Sequence, residues 1–239
     1  MIEDKVTLAI TSCGRLHLLA KTLESFIKYN TYPIEEVIII DDSARALNWA
    51  PIEELVDQIT PHSLIIENPV NIGQYKSLDI LYPCINTKWT FHCEDDWEFL
   101  DYGFIESSME VFENYDGKLF TVNIWGKQVD DHPDRTEGEP IDLPSGRQYK
   151  MINWRHKLGG FNQNPGLRLT EVIRECYPYA ELELFKPAGP NREPYVREAS
   201  LALKYIRELG YRSAYVLGTY FIDHIGWDDH VYPRDFGHE

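Results

Sequence analysis

The sequence predicts a single α/β domain with a mostly parallel central sheet flanked by helices. Three observations lead there. Short β-rich runs alternate with stretches of helical spacing through the first half of the chain, which implies strand–helix–strand units with right-handed crossovers. One of those runs, Val37-Ile38-Ile39-Ile40, is wholly apolar and β-branched, as in strands buried on both faces. The length of 239 residues suits one domain, with no internal repeat and no second boundary.

Taken in order, Val6-Thr7-Leu8-Ala9-Ile10 is a strand closed by Thr11-Ser12-Cys13-Gly14-Arg15. Leu18, Leu19, Leu23, Phe26 and Ile27 then recur at helical spacing. The apolar run at 37–40 ends in Asp41-Asp42-Ser43, residues 52–59 form a short helix, and Ser63-Leu64-Ile65-Ile66 is a third strand. After Asn71-Ile72-Gly73 a helical stretch covers 74–84, and Trp89-Thr90-Phe91-His92-Cys93 runs into Glu94-Asp95-Asp96. A helix follows at 102–115 and a strand at 119–125. Pro, Gly and Asp crowd 127–148, which predicts a long loop. Residues 167–176 read as helical, and 198–209 as an amphipathic helix stopped by Gly210. Strands at 214–217 and 219–222 lead to Asp223-His224-Ile225-Gly226.

The formal charge of −16, from 39 acidic and 23 basic residues, argues against nucleic-acid binding, which needs a basic face. It argues equally against a polybasic membrane contact. The four cysteines contain no CxxC spacing and read as free thiols of a reducing compartment. No signal-peptide pattern opens the chain, and no run approaches the roughly 20 apolar residues of a membrane span. A cytoplasmic location is therefore expected, with no transmembrane segment.

In parallel sheets, ligands sit beyond the carboxyl ends of the strands, and three polar clusters fall at such ends: 11–15, 41–43 and 94–96. Glu94 and Asp96 flank one residue at a strand end, where two carboxylates can face a single hard cation. Mn2+ or Mg2+ is the cofactor this implies, completed by diphosphate oxygens. An acidic solvent loop is the competing reading, although Trp97, Phe99 and Leu100 follow at once. Asp41 and Asp42 can accept from a nucleobase N–H or a ribose hydroxyl, or can equally serve as a turn or cap. Lys76, behind Asn71-Ile72-Gly73, and Arg15, behind the first strand, are cations suited to a diphosphate or simply to a surface.

AITSCGR, VIIIDDSA, NIGQYK and FHCEDDWEF, in that order, resemble the nucleotide-binding half of glycosyltransferases with the GT-A fold. The pattern is similar to the inverting family 2, and its EDD run to the metal motif of the N-acetylglucosaminyltransferase I type. The resemblance covers about the first 125 residues. It implies a nucleotide-sugar-binding half at 1–125 and an acceptor-binding half at 126–239 of one 1–239 domain. It places Thr11, Arg15, Asp41 and Asp42 around the nucleoside, with Lys76 and Asp95 nearby, and makes Asp96 the principal metal ligand beside Glu94. Many family 2 members have Asp where this chain has Glu94.

The same resemblance extends to Glu198, which falls where the family's catalytic Asp opens a helix; a helix N-terminus would keep it ionised as a general base. Glu193 is the reserve candidate, and ordinary first-turn helix chemistry is an equal reading of Glu198. His224 follows a strand as the family's late histidine does, and imidazole can ligate a metal. Trp154 and Asn164 lie in a segment suited to lining a sugar. The implied activity is transfer from a nucleoside-diphosphate-sugar, a UDP-sugar ahead of a GDP-sugar, to a glycan or other hydroxyl acceptor with inversion. The alternatives are a sugar nucleotidyltransferase, or a non-catalytic carbohydrate- or nucleotide-binding protein on the same fold. A dehydrogenase is disfavoured, because no GxGxxG follows the first strand.

Overall fold

A computed structural model describes residues 4–126, 129–130, 132–153, 163–182, 193–218 and 220–229. The first half follows the expected alternation: β1 (Val6–Ser12), α1 (Leu16–Tyr29), β2 (Ile34–Asp41), α2 (Ala50–Ile59), β3 (Ser63–Glu67), α3 (Gln74–Leu81) and β4 (Trp89–Glu94). A short β5 (Trp97–Phe99), α4 (Phe104–Asn114) and β6 (Leu119–Asn123) come next. The second half adds β7 (Thr136–Asp142), β8 (Gln148–Ile152), β9 (Gly166–Leu169), α5 (Thr170–Arg174), α6 (Glu193–Ala202), β10 (Arg212–Leu217) and β11 (Ile222–His224).

Nine strands form one mixed sheet in the order β3-β2-β1-β4-β9-β6-β10-β8-β7, and β11 pairs with β5 beside it. β1, β2, β3 and β4 are mutually parallel, as are β6 and β10. The chain leaves β1 toward β2 and β3, then returns to β4 on the other side, so the switch point of the sheet lies between β1 and β4.

The strands lack polar alternation because both faces of the sheet are covered. On β1 and β2, Leu8, Ile10, Val37 and Ile39 face one core, with Leu23 and Phe26 of α1 and Ile52 of α2. Ala9, Ile38 and Ile40 face the other, with Leu78 and Leu81 of α3, Ile173 of α5 and Leu201 of α6. The strand period of two divides one apolar run between two cores.

The second half departs from its sequence reading more widely: β8 has no counterpart in that reading, the strand expected at 219–222 is β11 at Ile222–His224, and three further segments differ. The predicted loop at 127–148 contains a 3-10 turn, Pro133–Arg135, and the strand β7. Most of β7 is exposed at the sheet's edge, so it carries Glu, Gly and Pro rather than an apolar pattern, as edge strands do. The predicted helix at 167–176 begins instead as β9, an antiparallel strand wedged between β4 and β6. Four residues are too few to display a period, and helical geometry starts only at α5. The predicted helix at 198–209 starts five residues earlier, at Glu193, and ends in a π-helical turn, Leu203–Glu208.

Gly166 lets β9 fit. A Cβ there would stand 2.5 Å from the Val122 carbonyl oxygen of β6, so any side chain would force the strands apart. Gly166→Ala is expected to lower stability by about 1–3 kcal/mol, in the range of other overpacking changes. Urea denaturation measures it, and a wild-type midpoint would show that β9 accommodates the methyl group.

Candidate functional site at the carboxyl ends of β1, β2 and β4

Strand register brings the three polar clusters together: Thr11 pairs with Glu94 across β1 and β4, and Ser12 with Asp41 across β1 and β2. Asp41 is buried, and its carboxylate accepts from the Gly14 amide at 2.6 Å and the Ser43 amide at 2.9 Å. Gly14 has a φ of +73° and no room for a Cβ, which would lie 2.9 Å from Ser43 Cβ. Asp42 accepts from Asn68 Nδ2 at 2.8 Å and from the Ile72 and Gly73 amides at 2.9 and 2.7 Å. All four oxygens of this pair are therefore already engaged, and they hold the turns at 12–14, 41–43 and 71–73 in place. Lys76 is exposed on the first turn of α3 and forms no ion pair among the described residues.

Asp95 turns inward. It accepts from Ser12 Oγ at 3.0 Å and the Cys13 amide at 3.3 Å, and it pairs with the Arg15 guanidinium. Its backbone oxygen accepts from Thr22 Oγ1 of α1 at 2.9 Å. Burial pushes its carboxyl up to about 6 despite Arg15.

Asp96 faces the other way. Its Oδ2 lies 2.9 Å from Arg15 Nη1 and 3.4 Å from His224 Nε2. Burial raises its carboxyl, but the His224 hydrogen bond and Arg15 outweigh burial and hold it below the usual range. Its Oδ1 is buried with no hydrogen-bond partner among the described residues. The segment after β11 closes over it: the Ile225 amide donates to the Asp96 carbonyl at 2.9 Å. A Cβ on Gly226 would lie 2.4 Å from Asp96 Oδ2. Arg15 Nη1 also donates to the Asp229 carbonyl at 3.1 Å. The His224 ring sits between Trp97 and Trp227, 4.9 and 4.4 Å from their centroids.

Glu94 accepts from Gln74 Nε2 at 2.8 Å and Trp97 Nε1 at 3.3 Å, and burial, then Asp96, push its carboxyl up to about 8. Among the described residues no three His, Cys, Asp or Glu side chains gather as a metal-ligand group. Of the three ligands expected from the sequence, Asp96 and His224 lie together, while Glu94 is engaged by Gln74 and Trp97.

Glu198 lies in the second turn of α6, because the helix begins at Glu193. The N-terminal position expected for it is corrected accordingly, and its charge draws less on the helix dipole, which fades beyond the first turn. It accepts from the Gln163 amide at 3.2 Å, and burial pushes its carboxyl up to about 7. Glu193 opens the helix. Asn164 is half-buried just before β9, and Trp154 lies outside the described residues.

Ser12, Gln74 and Gly226 take part without having been singled out, although each lies in or beside a segment the sequence did mark: the cluster at 11–15, the NIGQYK run and His224. A cavity of about 500 Å³ opens beyond β6 and β10, with Gly126, Asp130, Lys150 and Tyr220 among its walls. It is one residue past Trp125, whose ring packs on Trp97 at 5.0 Å.

Residues 7–174 match the family model described as Glycosyl transferase family 2. The mannosyltransferase PcManGT from Pyrobaculum calidifontis, solved in complex with GDP-Man and Mn2+, is similar at a TM-score of 0.57 and 11% identity, over 89% of this chain and 56% of its own. S. aureus TarS in complex with UDP gives 0.60 at 10% identity, over 91% of this chain and 59% of its own. The TarS complex with UDP-GlcNAc gives 0.55 at 10%, over 97% and 63%. At this identity the likeness shows a shared fold, and this chain spans between 56% and 63% of the length of those structures. No curated protein matches. No helix among the described residues is long and apolar enough to cross a membrane.

The burial of Glu198 has a consequence for stability. Its carboxyl titrates near 7 when folded, against an ordinary 4.5, so between those values the folded chain holds a proton that the unfolded chain has released. Stability therefore falls as pH rises through that window. Glu198→Gln is expected to stabilise the protein at pH 8 by up to about 3 kcal/mol, with no difference near pH 4. Thermal unfolding at the two pH values checks this; equal differences at both would refute the burial penalty.

Proposed function

This chain belongs to glycosyl transferase family 2, and on that footing we propose that it moves a sugar from a nucleoside-diphosphate-sugar donor to a hydroxyl of a glycan or other acceptor, with inversion. The observation that carries the proposal is the Asp96–His224 pair at the switch point of the sheet, with Asp96 Oδ1 buried and without a hydrogen-bond partner among the described residues. A buried carboxylate oxygen without a donor is costly unless a cation or hydrogen bond compensates it. Mn2+ or Mg2+ fits that place, held by Asp96 and His224 with Glu94 beside them. Such an ion supplies charge neutralisation for a leaving diphosphate.

The remaining roles fall to the chain's own groups. Thr11, Arg15, Asp41, Asp42 and Asp95 shape the nucleoside pocket, the two aspartates at 41 and 42 by fixing the turns that wall it. Lys76, which has no ion pair among the described residues, is available to the diphosphate. Glu198 is the general base that takes the acceptor hydroxyl proton; a carboxylate poised near neutral pH suits both accepting and releasing it. Glu193 stands in reserve. Asn164 and Trp154 line the sugar or acceptor. The cavity beside Trp125 is the acceptor's approach. A UDP-sugar is favoured, supported by the UDP and UDP-GlcNAc complexes of TarS, with a GDP-sugar next, supported by the GDP-Man complex.

Thermal shifts with UDP, GDP, dTDP and CMP, each with and without Mn2+, test the donor site, since a ligand at about 100 times its Kd adds roughly 2.7 kcal/mol. One diphosphate is expected to give a metal-dependent shift, and Asp96→Asn to remove that dependence. Glu198→Gln is expected to keep the shift and to lower transfer about 100- to 10,000-fold. A metal-dependent shift with no turnover of any nucleotide sugar would favour the binding-protein reading instead.

A further inference from the structure

Arg168 is a cation in the middle of a sheet, 1% exposed on β9, and the proposed chemistry does not use it. Its Nη1 donates to Tyr82 Oη at 2.8 Å and to Gln163 Oε1 at 3.0 Å. Its guanidinium also lies over the Phe120 ring, 5.5 Å from the centroid, which restrains its plane. Tyr82 Oη in turn lies 3.1 Å from His92 Nδ1 on β4. Gln163 carries the chain forward, because its backbone N–H donates to Glu198 Oε1 at 3.2 Å. A continuous set of contacts thus runs from β4 through Tyr82 and β9 to α6, and it ends on the proposed base.

We propose that Arg168 and Gln163 are positioning residues for Glu198: the guanidinium orients the Gln163 amide side chain, and Gln163 anchors one Glu198 oxygen so that the other meets the acceptor hydroxyl. This rests on Glu198 being the base. The charges around it agree with the assignment. Burial, then Arg168, hold His92 neutral, and burial pushes the Tyr82 phenol up to about 12, so neither adds charge. The charge of Glu198 in turn reaches Glu94 on β4 and adds a small upward push to its carboxyl. Arg168 is the cation that favours the ionised form of Glu198 against burial.

Carboxyl 13C NMR titration of Glu198, assigned by its disappearance in Glu198→Gln, tests this without any ligand. Arg168→Met is expected to move the midpoint upward by about one pH unit, and Arg168→Lys to recover part of the shift. In parallel, slow hydrolysis of UDP-GlcNAc with Mn2+ serves as the turnover probe. Gln163→Met, which keeps the backbone N–H but unlinks it from Arg168, is expected to lower kcat about tenfold to a hundredfold with KM unchanged. Unmoved midpoints and wild-type kcat in folded Arg168→Met and Gln163→Met overturn the positioning role. If Arg168→Met does not fold, kcat against KM in Gln163→Met decides. Wild-type hydrolysis by Glu198→Gln overturns the base assignment itself, whatever the titration shows.

Discussion

A carboxylate buried at the end of a strand has to be compensated, and the way Asp95 is compensated organises the whole carboxyl edge of the sheet. Ser12 and Cys13 from the end of β1, and Arg15 from the start of α1, all converge on its side chain. Thr22, about two turns further along α1, takes its backbone oxygen and also accepts from the Trp97 amide. These contacts fix the turn between β4 and β5, and Glu94 and Asp96 on either side of Asp95 meet other partners, Gln74 and Trp97 for one and His224 for the other. Arg15 spans Asp95 and Asp96, which makes it a structural clamp on the acidic turn.

The site is assembled from segments far apart in sequence, each arriving for its own packing reason. β11 pairs with β5, and this delivers His224 opposite Trp97. The following residues lie directly on Asp96 because Gly226 has no side chain. β9 enters between β4 and β6 only because Gly166 is small. That insertion places Arg168 inside the sheet and Gln163 against α6. Close approach of backbone to side chain is thus used twice, once for the sheet and once for the acidic turn.

In the role proposed for it, Glu198 sets stability against use. Taking a carboxylate into a buried position is unfavourable, and its raised titration point reports that cost. A surface glutamate would be cheaper for the fold but too weak a base at neutral pH for proton transfer. Proteins commonly carry such local strain at working positions.

From sequence alone, the alternation of apolar runs and helical spacings determined the parallel core from β1 to β4. β1, β2 and β4 are largely buried on both faces, which is why their runs are mostly apolar, whereas β3 is a short, half-exposed edge strand recognisable by its Leu64-Ile65-Ile66 run. The three polar clusters at their ends were legible for the same reason, since a run that stops abruptly in Asp or Glu marks where the sheet meets solvent or ligand. The tertiary structure alone decided the rest. β7 carries no apolar pattern because it is an exposed edge, and β9 is too short to show a period. The orientations of Glu94, Asp95 and Asp96 depend on partners in β1, α1, α3 and β11, far from them in sequence, with only the Trp97 contact to Glu94 local. Nothing in the residues around Arg168 marks it as buried; the pairing of β9 with β4 and β6 buries it. Local chemistry is written in neighbouring residues, whereas the direction of a side chain is set by what the fold brings against it.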